Sequence, residues 1–254
     1  VNTNINKIYI AIDADSLVYK SCYRHQTIDS VDLELAYLEF GYEIGKIKSA
    51  VFRLLQYQKG DQVIPKIILS PKKSFRNEIS DEYKTNRKST PAIHGIKALK
   101  IMIMERLSIA EVHKNIEADD VCIYYSNKEN MLISAIDKDV INASMTNCYD
   151  YNKRRWINPH SKYKIEKWYA KQALLGDSTD NIKGAPNIGE ERSEEWTNKY
   201  LGELYPWQEY CEMFGGEELA LMSMNLVRMD GLKKVGDKLI WSPWTMENSN
   251  YWEY

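Results

Sequence analysis

The 254 residues are 44% hydrophobic and 28% charged, with a net charge of −2, the composition of a soluble globular protein forming one large domain or two unequal ones. No apolar run approaches the ~18–20 residues of a membrane span, and the opening V-N-T-N-I-N-K lacks the apolar stretch of a secretory signal, so a cytoplasmic protein without membrane attachment is expected. Cys22, Cys122, Cys148 and Cys211 are scattered with no C-x-x-C pair, and the histidines are isolated, which argues against a zinc site and for free thiols in a reducing compartment.

Residues 7–12 (K-I-Y-I-A-I) are a β-branched apolar run and read as a buried strand, with Asp13 and Asp15 at its C-terminal end. Ligands in open α/β sheets sit outside the carboxyl ends of strands, although Asp13 taken alone serves equally well as a cap for the following helix, S-L-V-Y-K-S-C-Y-R. Residues 30–59 are expected to form a long helix, capped by Ser30 and ended by Gly60-Asp61. Leu33, Tyr37, Phe40, Ile44, Ile47, Val51 and Leu54 recur there at helical spacing and form a core stripe. Residues 65–69 (P-K-I-I-L) are a second strand.

Residues 70–89 break this pattern. They are polar and basic, with Lys72, Lys73, Arg76, Lys84, Arg87 and Lys88 against three acids, and Phe75 and Tyr83 punctuate them. Such a segment is either an ordinary surface excursion or a mobile element that closes over a phosphodiester. Thr90-Pro91 then opens a helix, Thr90 as cap and Pro91 at the first position, which buries Ile93, Ile96, Leu99, Ile103 and Leu107. Residues 108–112 are a third strand candidate.

Residues 117–127 form a helix with Glu117, Asp119 and Asp120 in its first turn, a placement that suits the helix dipole. Residues 131–136 form a strand that ends in Asp137 and Asp139. Carboxylates repel one another, so a fold gathers them only in solvent or around a cation. Two strands ending in D-x-D, with a helix between them beginning E-x-D-D, point to one shared pocket for a hard cation such as Mg2+. Residues 148–157 read as a hairpin with a basic turn at 152–154, and 163–175 as a helix; 153–171 carry seven basic residues against Glu166 alone. Segregated charge of this kind suits a basic track for phosphates beside an acidic metal pocket.

Asp177 and Asp180 lie three apart, on one helix face or at the two ends of a turn. Gly184, Pro186 and Gly189 mark a tight loop before a helix. Backbone N–H groups of such a loop suit a phosphate, though a plain helix–loop–helix turn has the same composition. Beyond Trp196 the chain reads as packed aromatic turns and a helix over 217–232, informative only as structure.

I-E-A-D-D-V at 116–121, I-D-K-D-V at 136–140 and G-D-S-T-D-N-I-K-G-A-P-N-I-G at 176–189, in this order and spacing, resemble the 5′ nuclease family: flap endonucleases, polymerase-associated 5′–3′ exonucleases and the small bacteriophage 5′ nucleases. The resemblance runs from about residue 7 to residue 192. It implies an α/β fold with a PIN-like mixed sheet flanked by helices, a helical arch and a C-terminal helix–loop–helix DNA-binding module. The nuclease domain would span 1–172, with the arch at 71–95, and the second domain 173–254.

Carried over by position, the resemblance makes Asp13, Glu117, Asp119, Asp120, Asp137, Asp139, Asp177 and Asp180 metal ligands. The arch pattern F-R…Y-K-x-x-R makes Arg76, Tyr83, Lys84 and Arg87 the catalytic group. Lys84 and Arg87 would contact the scissile phosphate and Tyr83 would stack on a base. Lys72, Lys73 and Lys88 of the arch, with Lys183, Gly184, Asn187, Gly189 and Arg192 of the loop, would contact DNA. The implied cofactors are two divalent ions about 3.5–4 Å apart, Mg2+ or Mn2+, and a K+ ion at the helix–loop–helix. Two positions depart from the family's pattern. Ser70 stands where the family has an aspartate after the second strand. Asn187 and Glu191 stand where it has a third glycine and a lysine, with Arg192 beside them as a substitute.

The expected activity is metal-dependent 5′–3′ exonuclease and flap endonuclease action at 5′ flaps, nicks or 5′ ends of DNA, by a monomer working in replication or repair in a bacterial or phage-infected cell. The alternative is a DNA-structure-binding protein of the same fold that cleaves weakly or not at all, motivated by Ser70. A PIN-like nuclease acting on RNA is a second rival, and the G-D-x-x-D-N-I…G module argues against it.

Overall fold

The structure is a computed structural model that describes residues 7–54, 62–89, 93–200 and 206–246. In chain order it forms β1 (Lys7–Asp13), α1 (Asp15–His25), α2 (Leu33–Leu54), β2 (Gln62–Leu69), α3 (Arg76–Ile79), a 3-10 helix (Thr85–Ser89), α4 (Ile96–Arg106), β3 (Ala110–Val112), α5 (Ala118–Glu129) and β4 (Leu132–Ser134). There follow α6 (Lys138–Ala143), β5 (Cys148–Asp150), β6 (Arg155–Ile157), α7 (Lys162–Leu175), β7 (Gly176–Asp177), β8 (Ile182–Lys183), α8 (Glu190–Tyr200), α9 (Trp207–Phe214), α10 (Glu217–Val227), β9 (Leu232–Val235) and β10 (Lys238–Trp241). The chain divides into two compact units, Val1–Pro71 with Pro91–Pro159, and Lys72–Thr90 with His160–Tyr254.

In the first unit the strands form one mixed sheet in the order β3-β2-β1-β4-β5-β6. All neighbours are parallel except the β5–β6 hairpin. β1 is central, and Ile10, Ala11 and Ile12 have no exposed surface, which is why its apolar run is continuous rather than alternating. β2 begins at Gln62, earlier than the proline suggested, so Pro65 lies inside a strand. Ile67 N–H donates toward β3, to Ile109 (2.9 Å). Pro65 has the same parity, but β3 pairs only from Ile67 onward, so the N–H that proline lacks would have had no partner there. One core holds Ile10, Ile12, Leu17, Phe40, Ile47, Ile67, Leu69, Leu99 and Ile103.

Several expected boundaries move for identifiable reasons. Ser30 does not cap α2: it closes a turn with Thr27, while Asp32 Oδ1 accepts the Leu35 N–H (3.0 Å). Leu54, expected in the core stripe, is 40% exposed. The endings proposed at Gly60-Asp61 and the cap at Thr90-Pro91 lie outside the described residues, and α4 itself begins at Ile96 behind Gly95. The short helix α6 directly after β4 went unrecognised; Asp137 is its N-cap and accepts the Asp139 N–H (2.8 Å).

In the second unit Ala173, Leu174, Tyr210, Phe214 and Met224 share a core with Tyr83 from the segment after β2. That segment, expected within the first domain, groups with this unit because its own side chains are bonded into it. α10 ends at Val227, short of the expected 232, because Arg228 leaves the helix. Its buried guanidinium meets Glu166 in a two-pronged pair (2.7 and 2.9 Å) and Asp230 (2.6 Å), and it lies over the Tyr169 ring. The chain then turns into the β9–β10 hairpin, whose Trp241 stacks on Phe75 (4.3 Å).

Near the β3 edge, Glu111 joins Lys66 (2.7 Å), Tyr125 (2.6 Å) and His113 (3.2 Å). Burial opposes its charge, but these bonds outweigh burial and lower its pKa from 4.5 to about 2. A depressed carboxylate contributes stability that is present above its unfolded pKa and is lost as pH falls toward the folded one. The stability difference between wild type and Glu111→Gln is therefore expected to be full above pH 4.5 and to vanish near pH 2. Urea unfolding across that window measures it.

Candidate metal centre and the basic segment after β2

The carboxyl end of β1 delivers Asp13 into the interior, 6% exposed, because the strand is central and its end is covered. Asp15 begins α1, and its N–H donates to Asp13 Oδ1 (3.3 Å). Burial and the charges of Asp15 and Asp137 push the Asp13 carboxyl up to about 7, against a backbone hydrogen bond from Asp15 and the nearby Lys100. Beneath lies Cys122 on α5, fully buried; burial first, then the charges of Asp13, Asp119 and Asp15, hold its thiol well above its ordinary value. Asp15 and Asp137 thus bear on Asp13, and Asp13, Asp15 and Asp119 on Cys122, with Asp15 common to both.

Glu117 is the N-cap residue of α5, and its side chain does not cap the helix. Asp120 stands in the same first turn and is 1% exposed. Asp139 lies in the first turn of α6. The acids converge without closing: among the described residues no group of three His, Cys, Asp or Glu side chains is arranged to hold an ion. In chemistry the donor set fits a hard cation, since its members are carboxylate oxygens and one of them, Asp13, is buried beside like charges that a cation would relieve. Two residues of this cluster had no place among the expected ligands. Asp15 was visible as the second acid of D-A-D, whereas Lys100, which pairs with it at 2.6 Å, had no local signal.

In the second unit the expected arch residues are turned inward. Arg76, expected to face substrate, is 3% exposed and donates to the carbonyls of Leu226 (2.7 Å) and Arg228 (2.8 Å), fastening α3 to the end of α10. Tyr83, expected to stack on a base, is 4% exposed, and its hydroxyl reaches Asp180 Oδ2 (3.2 Å). Lys84 Nζ lies 3.7 Å from the same oxygen, and Arg87 pairs with Oδ1. Backbone and side-chain bonds extend the contact: Lys84 N–H to the Asp180 carbonyl (2.8 Å), Asn86 to the Ser178 carbonyl (2.6 Å) and Asn181 to the Glu82 carbonyl (2.8 Å). Asp177 and Asp180 sit on a turn rather than a helix face, with Asp177 Oδ1 accepting the Thr179 N–H (2.7 Å). Asp180 is thus placed among cations.

Lys72 and Lys73 are exposed at the start of this segment, and Lys88 lies on the 3-10 helix. Lys183 pairs with Glu82 (2.8 Å). Gly184 is sterically required: a Cβ there would lie 2.4 Å from the Leu174 carbonyl oxygen. Gly189, just before α8, has open space around it. Asn187, in place of a glycine, has φ 60°, a left-handed conformation that asparagine tolerates better than most residues. Arg192 reaches back to its carbonyl (3.0 Å).

Residues 8–171 match the family described as 5′–3′ exonuclease, N-terminal resolvase-like domain. A protein of Buchnera aphidicola subsp. Schizaphis graminum named 5′–3′ exonuclease is 30% identical over 197 residues, covering 72% of this chain and 67% of that one. The flap endonuclease Xni of Shewanella woodyi is 26% identical over 206 residues, covering 72% and 81%. Among solved structures, the T5 D15 protein co-crystallised with metal ions shares the fold with a TM-score of 0.62 and 18% identity, covering 88% of this chain and 90% of that one. The bacteriophage T5 flap endonuclease in a complex with DNA and metal ions scores 0.61 at 17% identity, covering 88% and 89%.

Two outcomes follow from the geometry. The folded Asp13 pKa, about 7, lies above the ordinary 3.8, so its contribution to stability is full below the lower value and is lost as pH rises through the upper one. Asp13→Asn is therefore expected to raise the melting temperature at pH 8 without divalent ions and to leave it nearly unchanged at pH 4. Gly184→Ala forces its methyl against backbone and is expected to destabilise by about 1–3 kcal/mol, measurable by urea unfolding at neutral pH.

Proposed function

The chain belongs to the 5′–3′ exonuclease family and is a nuclease, and from that premise we propose that it hydrolyses DNA phosphodiester bonds at 5′ ends or branch points with divalent cations, Mg2+ or Mn2+. The observation that carries this reading is the carboxyl end of β1, where Asp13 is buried, bonded to the Asp15 N–H and set against the charges of Asp15 and Asp137, while Asp119 bears with Asp13 and Asp15 on Cys122. Metal ions and DNA named with the T5 nuclease structures support it.

In this proposal Asp13, Glu117, Asp119, Asp120, Asp137 and Asp139 would hold a cation in the first unit, and Asp177 and Asp180 would be cation ligands of the second unit. Bound cations supply Lewis acidity and an activated water. In the cation-free protein burial and the charges of Asp15 and Asp137 hold the Asp13 carboxyl up to about 7, and a cation beside it would favour the ionised, donating form. Lys84 and Arg87 exchange Asp180 for phosphate oxygens and neutralise charge that develops on the phosphoryl group. Lys72, Lys73, Lys88, Lys183 and Arg192 hold the backbone of the DNA, with the Gly184–Asn187–Gly189 loop offering its N–H groups and a site for K+. The protein acts as a monomer, in the cytoplasm.

The second reading, a binder of the same fold that does not cleave, is motivated by Ser70, which stands where the family's pattern has an aspartate. A 5′-flap DNA labelled at either end, incubated with Mg2+, Mn2+ or EDTA, separates the two. Cleavage near the junction that EDTA abolishes is expected, and tight binding without cleavage in all three conditions would establish the binder. Asp119→Asn and Asp137→Asn are expected to abolish cleavage while DNA binding in EDTA persists. Lys84→Ala is expected to slow cleavage roughly a hundredfold with a much smaller loss of binding, and equal losses would reduce Lys84 to a phosphate contact.

A further inference from the structure

Ser70 leaves the end of β2 without the carboxylate that the family's pattern has there, yet a carboxylate occupies the place. Ser70 N–H donates to both oxygens of Asp15 (3.2 and 3.3 Å), so the Asp15 side chain has crossed from the start of α1 to the end of the neighbouring strand. The Ser70 hydroxyl turns elsewhere and accepts the Ala118 N–H (2.8 Å), serving the first turn of α5, which the side chain of Glu117 leaves uncapped. Lys100 of α4 closes the arrangement, its Nζ 2.6 Å from Asp15 Oδ1 and 2.9 Å from the Ser70 carbonyl. An aspartate at position 70 would set a second negative charge against Asp15 and remove the hydroxyl from α5. Serine satisfies both neighbours.

Resting on the nuclease reading of this cluster, we propose that Asp15 supplies the carboxylate of the cation site at the end of β2, in place of the acid missing at position 70, and that Lys100 is its counter-ion in the cation-free protein. The serine is then an exchange of position between the end of β2 and the start of α1, not a loss of charge. A bland role for Asp15, as an acid in the first turn of a helix paired with a surface lysine, makes no connection with divalent ions.

The test is Mn2+ binding to the full chain by titration calorimetry, with the Mn2+-induced rise in melting temperature at pH 8 as a second readout and flap cleavage as a third. Asp15→Asn is expected to weaken Mn2+ binding about 10- to 100-fold, the range for losing a group that supports a metal site, and to slow cleavage with it. Adding Ser70→Asp to Asp15→Asn is expected to restore much of the Mn2+ affinity, since a carboxylate returns to the same place from the end of β2. Lys100→Met is expected to melt lower than wild type in EDTA and to gain more from Mn2+, because the ion takes over the neutralisation, while Lys100→Arg behaves as wild type. If wild type responds to Mn2+ and Asp15→Asn responds equally, the assignment of Asp15 is overturned while the nuclease reading stands. A wild type indifferent to Mn2+ overturns both. Asp15→Asn keeps the side chain's shape, so it decides the matter even where a double variant fails to fold.

Discussion

Crowding of like charge at the carboxyl ends of adjacent parallel strands is the constraint around which the first unit is arranged. β1 is buried on both faces, so Asp13 at its end is withdrawn from solvent, and Asp15, Asp119 and Asp137 bring further negative charge to the same neighbourhood. The fold meets this repulsion with distinct devices. Asp13 retains its proton to an unusually high pH, Asp15 is paired with Lys100, and Asp137 stays exposed while capping α6. An ionisable carboxyl as deeply buried as Asp13 does not help the fold for its own sake. A core built for stability alone would place apolar side chains at the end of β1, and retaining ionisable groups there is the usual mark of a functional region.

The second unit shows the opposite charge under the same rule. Lys84 and Arg87, which the family's pattern directs at a phosphate, are met by Asp180, and the surrounding backbone bonds lock residues 82–87 to the turn at 178–181. Cations on a protein surface find anions, and the partner here is a carboxylate from the chain itself. Arg76 and Arg228 hold the frame, each with a buried guanidinium spending its donors on carbonyls or carboxylates. A guanidinium serves there because its planar fork satisfies several acceptors at once, which a lysine cannot match.

Ser70 brings the same balance of charge to a single position. Judged by position alone it is a deficit in the acid set. With the neighbouring side chains in view, its small size and its hydroxyl leave room for Asp15 and complete α5, so the same residue is a structural fit. Asn187 makes a similar point: it stands where the family's pattern has a glycine and holds a left-handed backbone that asparagine tolerates better than most residues.

The sequence alone determined the strands and most helices of the first unit, because a buried parallel strand writes itself as an unbroken β-branched run and a packed helix as a 3.6-residue stripe; Phe40, Ile44, Ile47 and Val51 needed nothing more. It also determined the family, since the acids at 117–120, 137–139 and 177–180 keep a fixed order along the chain. Tertiary structure decided what each acid meets. Lys100 lies 85 residues from Asp15 and 30 from Ser70, the separations of the contacts at 2.6 and 2.9 Å, and no local pattern encodes a pairing over that distance. Burial of Arg76 and Tyr83 was equally out of reach, because a basic, aromatic-punctuated segment looks the same in sequence whether it faces solvent or folds back on its own domain. The β9–β10 hairpin was hidden for a related reason: Arg228 ends α10 by reaching Glu166, and that ion pair exists only once α7 and α10 are packed together.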